Sequence, residues 1–149
     1  MTKSKSFMRR AMNNWDSTDA HDLEPKKRIA DILRAKYGYR CVFDRTIFID
    51  KTTFQVHLEQ PMECLTKQEV LSKYEIFIPD ILIKTVSGFK IVELDGSFHF
   101  ENSKGVRRTN KRNEYYEYAN IKLVWFYTPT LNKMSTDEII TTFDDACWL

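Results

Sequence analysis

The chain has 149 residues, 42% hydrophobic and 13% aromatic, with 23 basic against 21 acidic side chains and a net charge of +2. That is the length of one domain with one sizeable core, and with only 4 glycines and 4 prolines it excludes collagen-like, linker-like and low-complexity classes. No apolar run approaches the ~20 residues of a membrane helix, and MTKSKSFMRR has no apolar signal core, so a cytoplasmic protein without a membrane partner is expected.

Residues 1–21 are polar and carry Lys3, Lys5, Arg9 and Arg10; they read as a flexible basic arm ahead of a single domain over 22–149. A first helix starts near Glu24, with Pro25 in its first turn, Ile29, Ile32 and Leu33 at helical spacing, and Gly38 placed to end it. Arg40–Ile49 and Thr53–Leu58, rich in β-branched and aromatic residues, read as two strands joined near Asp50-Lys51. Thr66-Lys67-Gln68-Glu69 is a capping box and predicts a short helix over 67–73. EIFIPDILIK (75–84) reads as a third strand, Val86-Ser87-Gly88 as a turn, and Phe89–Asp95 as a fourth strand that Gly96 terminates. The basic stretch SKGVRRTNKRNEYYEYAN reads as a loop entering a helix near 107–119. Ile121–Tyr127 is an apolar strand expected to be buried on both faces, with Trp125 in the core. Pro129 ends it, and Ser135-Thr136-Asp137-Glu138 opens a last helix to about 147. Trp148 packs either that helix or a partner. Cys41, Cys64 and Cys147 are widely separated and read as buried, reduced thiols; His21 and His57 read as structural or solvated. The order predicts an α/β domain, a mixed sheet flanked by α-helices in two or three layers.

The informative chemistry lies on the third and fourth strands. Side chains alternate along a strand, so Glu93 and Asp95 share one face with Phe89 and Ile91. A turn centred between Val86 and Ser87 sets Asp80 opposite Glu93; one centred between Ser87 and Gly88 sets it opposite Asp95. Either even-length loop gathers three carboxylates, with directly opposite Cβ atoms ~5 Å apart, whereas an odd-length loop puts Leu94 opposite Asp80. Adjacent carboxylates repel unless a positive charge lies between them. A hard divalent cation such as Mg²⁺ meets that need and can activate water against a phosphodiester. Lys104, Arg107, Arg108, Lys111 and Arg112 then place five cations within nine residues, with no acid among them. On a helix Arg108, Lys111 and Arg112 share a face, a phosphate-tracking surface for a nucleic acid. Phe98 and Phe100 flank His99 and read as core or as wedges at a base step.

Pro79-Asp80 followed by Glu93-Leu94-Asp95-Gly96-Ser97-Phe98-His99 resembles the PD-(D/E)xK nuclease superfamily. Within it, the pattern is similar to the branch of the very-short-patch repair endonucleases, which also includes homing endonucleases with an E-D-x-H-D motif set. The chain follows that branch's order of elements over about residues 22–127: Glu24 matches the leading acid, Arg112 the helix arginine, and Ile121–Phe126 the closing strand. The resemblance implies a restriction-endonuclease-like core and a DNA endonuclease dependent on Mg²⁺ (or Mn²⁺). Such an enzyme would act on the cytoplasmic nucleoid in repair or in a phage or mobile element, as a monomer that nicks or a homodimer that makes paired cuts. It also implies that Asp80 and Glu93 bind metal, that the Leu94 carbonyl is a further ligand, and that Asp95 binds directly or through water. His99 becomes a general acid/base or phosphate contact, and Glu24 an outer ligand or water-orienting group. The chain departs from the pattern at two places: Asp95 replaces the lysine of the superfamily's name, and Thr109 replaces the acid three residues before the helix arginine. Lys104, Lys111 or His99 are the candidates to substitute. Two other readings stay open: a structure-specific nuclease such as a Holliday-junction resolvase or an RNA-cutting relative, and a non-catalytic nucleic-acid-binding module on the same scaffold.

Overall fold

The computed structural model describes residues 23–61, 66–96 and 103–148. The basic arm, Cys64, and the segment with Phe98, His99 and Phe100 lie outside the described residues. Helix α1 (Leu23–Tyr37) forms as its pattern predicts: Ile29, Ile32 and Leu33 are buried, and Arg34 and Lys36 sit at its negative end. Gly38, at φ +73°, donates its N–H to the Arg34 carbonyl at 2.9 Å and so ends the helix in the left-handed conformation that glycine adopts most readily.

The two strands expected next are three short ones, β1 (Val42–Phe43), β2 (Ile47–Asp50) and β3 (Val56–His57). Between β1 and β2 stands Asp44, with a left-handed backbone (φ +52°), where the chain leaves one sheet for another. Helix α2 (Lys67–Lys73) is capped as predicted: the Glu69 N–H donates to Thr66 Oγ1 at 3.1 Å. EIFIPDILIK is two strands in different sheets, β4 (Tyr74–Phe77) and β5 (Ile81–Thr85). The break falls at Ile78-Pro79-Asp80, because proline offers no N–H to continue a ladder. After β6 (Gly88–Asp95), helix α3 (Ser103–Tyr118) starts four residues earlier than expected, and β7 (Lys122–Tyr127) follows. Pro129 opens a single helical turn, α4 (Thr128–Leu131), and the Ser135 capping box opens α5 (Thr136–Asp145).

The architecture is mixed α/β. A four-stranded mixed sheet runs β1-β5-β6-β7, with β6 and β7 parallel, and a three-stranded antiparallel sheet runs β3-β2-β4. The second sheet was not expected from the sequence. Parallel strands need a crossover, and α3 provides it between β6 and β7. On one face of the mixed sheet, Ile81, Ile83, Val92, Leu94, Val124 and Phe126 pack with α1, α5 and Trp148. On the other, Leu82 and Ile91 pack with Tyr116 of α3 and with Ile47 and Ile49 of β2. Phe48, between those isoleucines, turns the opposite way onto Val70 of α2 and Tyr74. No helix among the described residues is long and apolar enough to cross a membrane.

Two burial expectations are corrected. β7 is an edge strand, so Trp125 is 47% exposed and not in the core, while Val124 and Phe126 are buried. Cys147 is exposed, whereas Cys41 is half-buried and its thiol is pushed up to about 11 by burial. Trp148 packs the chain's own core: it is 1% exposed, its ring lies 4.8 Å from Phe143, and its carbonyl accepts the Tyr39 hydroxyl at 2.8 Å. Trp148→Ala is expected to lower unfolding stability by ~3–5 kcal/mol in urea titration, the cost of emptying a packed aromatic site.

Candidate active site

The site is assembled where β5 and β6 run off the end of their ladder. The two-residue loop Val86-Ser87 joins Thr85 to Gly88, and Ile81 pairs with Val92. Gly88, at φ +136°, holds a backbone conformation that L side chains rarely adopt. One step further the register sets Asp80 opposite Glu93, the first of the two arrangements that bring three carboxylates together. There the ladder is replaced by a reciprocal exchange: the Asp80 N–H donates to Glu93 Oε1 at 3.0 Å, and the Leu94 N–H donates to Asp80 Oδ2 at 2.7 Å. The two strand ends therefore share their backbone donors with the acids themselves.

The positive charge that such a cluster demands comes first from the protein. Arg112 Nη1 donates to Glu93 Oε2 at 2.8 Å and to Asp95 Oδ1 at 3.1 Å, and Nη2 donates to Asp95 Oδ2 at 3.2 Å. Glu93 and Asp95 are only 5% and 2% exposed. Arg112 is therefore a buried counter-ion, not the outward phosphate contact its helix face suggested. Arg108 does share that face but lies about 6 Å further along the axis, at 1.5 Å per residue, and it stays exposed. A second cation arrives from α1. Lys26, 1% exposed, donates to Asp44 Oδ1 and Oδ2 at 2.9 and 3.0 Å and lies 3.8 Å from Asp80 Oδ1. The Asp44 N–H also donates to the Asp80 carbonyl at 3.2 Å.

Lys26 and Asp44 were missed by sequence reasoning. A signal existed for Lys26, since it stands three residues before Ile29 and seven before Leu33, on the apolar stripe of α1. None marked Asp44. Glu24, by contrast, is not brought to the cluster: two residues from Lys26 means a rotation of about 200° around the helix, and Glu24 is exposed. Lys104, Arg107 and Arg108 are exposed on α3. Lys111 is also exposed but pairs with Glu75 of β4 at 2.8 Å. Arg108, Thr109 and Lys111 line a groove of about 540 Å³ between α3 and β4, with Glu93 and Arg112 in its wall and Phe77 and Ile78 opposite.

Among the described residues, the carboxyl groups of Asp44, Asp80, Glu93 and Asp95 meet the cations Lys26 and Arg112. Burial and the neighbouring Asp80 push the Glu93 carboxyl up to about 8, against the opposing pull of Arg112. Burial lowers the Arg112 guanidinium, but its hydrogen bond to Asp95 and the charges of Glu93 and Asp95 outweigh that and raise it. The carboxylate oxygens are of the kind a hard divalent cation takes, with Asp80, 21% exposed at its side chain, as the accessible end. No group of three His, Cys, Asp or Glu side chains placed to hold a metal ion stands among the described residues; Arg112 holds oxygens of Glu93 and Asp95, and Lys26 those of Asp44. No protein-family model matches the chain, and no curated protein or solved structure matches it significantly.

Removing one partner of a buried ion pair leaves the other charge desolvated. Arg112→Met is expected to cost ~3–5 kcal/mol by chemical unfolding, and adding Glu93→Gln and Asp95→Asn to it should recover most of the loss. In EDTA, Glu93 keeps a proton when folded that the unfolded chain has already released. Stability should therefore fall as pH rises from the ordinary carboxylate range to about 8, and Glu93→Gln should flatten that slope.

Proposed function

We propose that the protein is a metal-dependent DNA endonuclease of the PD-(D/E)xK type, acting on cytoplasmic DNA through a restriction-endonuclease-like core. The observation that carries this reading is the interlocked pair Asp80 and Glu93, a half-buried and a buried carboxylate that exchange backbone donors, with Glu93 in the wall of a groove that Arg108 and Lys111 also line. Asp80 and Glu93, with Asp95 and the Leu94 carbonyl beside them, would hold Mg²⁺ or Mn²⁺, which would supply the positive charge for activating water against a phosphodiester. The chain's own groups do the positioning. Arg112 keeps Glu93 and Asp95 on one side of the reacting phosphate. Lys26 holds Asp80 through Asp44 and brings a cation to within 3.8 Å of it, a charge the Glu-x-Asp motif itself lacks. Arg108 and Lys111 contact the backbone of the bound strand, and the Lys111 bond to Glu75 opens to do so.

One observation favours a second reading. Because Arg112 already grips Glu93 and Asp95, a module that binds nucleic acid without cutting it is consistent with the same charges. The test is a supercoiled-plasmid assay with Mg²⁺ or Mn²⁺. The wild-type chain should nick or linearise the plasmid, and Asp80→Ala and Glu93→Gln should each lose at least about 100-fold in rate. Single nicks indicate a monomer and paired cuts a homodimer. DNA binding that weakens with salt but shows no metal-dependent turnover supports the binding module instead.

A further inference from the structure

Tyr116 stands one helical turn after Arg112, on the same face of α3, and is 1% exposed. It packs with Ile91 and Leu82 of the mixed sheet, and its ring lies 5.4 Å from that of Phe77, which lines the groove. Side chains on a helix tilt toward its N-terminus, so Tyr116 leans back over the turn of Arg112. Ile91 stands two residues before Glu93 on the same strand face, so that lean carries the ring from Ile91 toward the acids. The charges that bear on its hydroxyl are those of the acid cluster: Glu93 first, then Arg112, Asp80 and Asp95. Burial, and after it the Glu93 charge, raise the hydroxyl well above the ordinary tyrosine value, so it faces the carboxylates as a donor.

Among the described residues this hydroxyl has no hydrogen-bond partner. A buried hydroxyl without a partner has lost its water and gained nothing in exchange, and phenylalanine in its place would fill the same space without that cost. The bonds around it supply a reason for the oxygen. Both oxygens of Glu93 are taken in the free protein, Oε1 by the Asp80 N–H at 3.0 Å and Oε2 by Arg112 Nη1 at 2.8 Å. Arg112 holds Asp95 through two bonds, at 3.1 and 3.2 Å. Beside a divalent cation the guanidinium is repelled, and its single bond to Glu93 gives way before its paired grip on Asp95.

Resting on the metal site of the nuclease reading above, we propose that Tyr116 is a positioning residue, whose hydroxyl donates to Glu93 when that carboxylate leaves Arg112 for a divalent cation. A hydroxyl suits the exchange because it is neutral and sets no further charge against the ion. The Asp80 N–H keeps the other end of Glu93 in place meanwhile. The unpaired oxygen of the free protein is then the resting half of a two-state contact, and the desolvation it suffers is recovered on binding.

The experiment compares the full chain with Tyr116→Phe, which removes the oxygen alone. Chemical unfolding in EDTA reports the free fold, and Mn²⁺ titration followed by the electron paramagnetic resonance of the free ion reports cation affinity. In EDTA the variant should unfold at a midpoint equal to or above that of the wild type, because it loses an unpaired group. Its Mn²⁺ affinity should fall about tenfold, the size of one hydrogen bond to a charged group. Glu93→Gln should abolish Mn²⁺ binding, which ties the ion to this carboxylate. Unchanged Mn²⁺ affinity in Tyr116→Phe overturns the positioning role and leaves the nuclease reading standing. A variant less stable than the wild type in EDTA overturns it as well, since the hydroxyl then has its partner in the free fold. Mn²⁺ that binds Glu93→Gln as tightly as the wild type, or that binds neither, overturns the metal site and the proposal with it.

Discussion

The guanidinium of Arg112 is the constraint around which the head of the mixed sheet is organised. Two residues apart on one strand face, Glu93 and Asp95 would repel each other across a few ångströms of low-dielectric protein. Arg112 binds both, and in doing so locates α3 over β6. One turn later Tyr116 reinforces that placement by packing with Ile91. The crossover helix is thus held at one end by charge and at the other by apolar contact, and the groove between α3 and β4 follows from that placement. Lys26 does the corresponding work from the opposite layer, tying α1 to Asp44 and Asp80. Both counter-ions come from helices distant in sequence, so the carboxylates take up their positions only when all the layers are in place.

Buried ion networks are a weak source of stability, because desolvation offsets most of the Coulomb gain and apolar residues of like volume often do as well. That makes stability a poor reason for this sequence to bury Glu93 and Asp95 against Arg112. The proposed metal site would give the cluster a chemical reason instead. A site that were fully neutral would have no pull on a divalent ion, and one without Arg112 and Lys26 would not assemble before the ion arrived. On the proposed reading, Arg112 and Lys26 would preorganise the acids, the condition under which electrostatic stabilisation of a transition state is effective.

How much of this was legible follows from the range of each interaction. The shared face of Glu93 and Asp95 is a property of consecutive residues with period two and could be read locally, whereas the turn left the register of Asp80 open between Glu93, Leu94 and Asp95 until the two-residue loop settled it on Glu93. The N-cap at Thr66 and the full capping box at Ser135 were legible for the same reason. EIFIPDILIK was read as one strand because its apolar pattern continues through Pro79; only the missing N–H betrays the division between two sheets. Trp125 was misplaced because IKLVWFY looks doubly buried, and strand order, which makes β7 an edge, is not a local property. The requirement for positive charge among the acids was read correctly, but the sequence offered an ion as the answer and could not show that Arg112 turns inward to meet part of it. Lys26 carried a local signal, its place on the apolar stripe of α1, but its partner did not, and Asp44 joins the cluster only through contacts between layers.

The small net charge hides a division within α3 that depth creates and helical angle does not. Arg108 and Arg112 point in nearly the same direction, one turn apart. Arg112 lies over the last residues of β6 and is consumed by their carboxylates; Arg108 lies past that end and remains in the groove. One amphipathic face thus changes role along its length, from counter-ion to exposed cation, because the sheet beneath it stops. The same ending exposes Asp80 and leaves the groove open toward the acids. On the proposed reading, a polyanion drawn to the outer cations would be led toward the inner acids, since the step from Arg108 to Arg112 is about 6 Å along the helix.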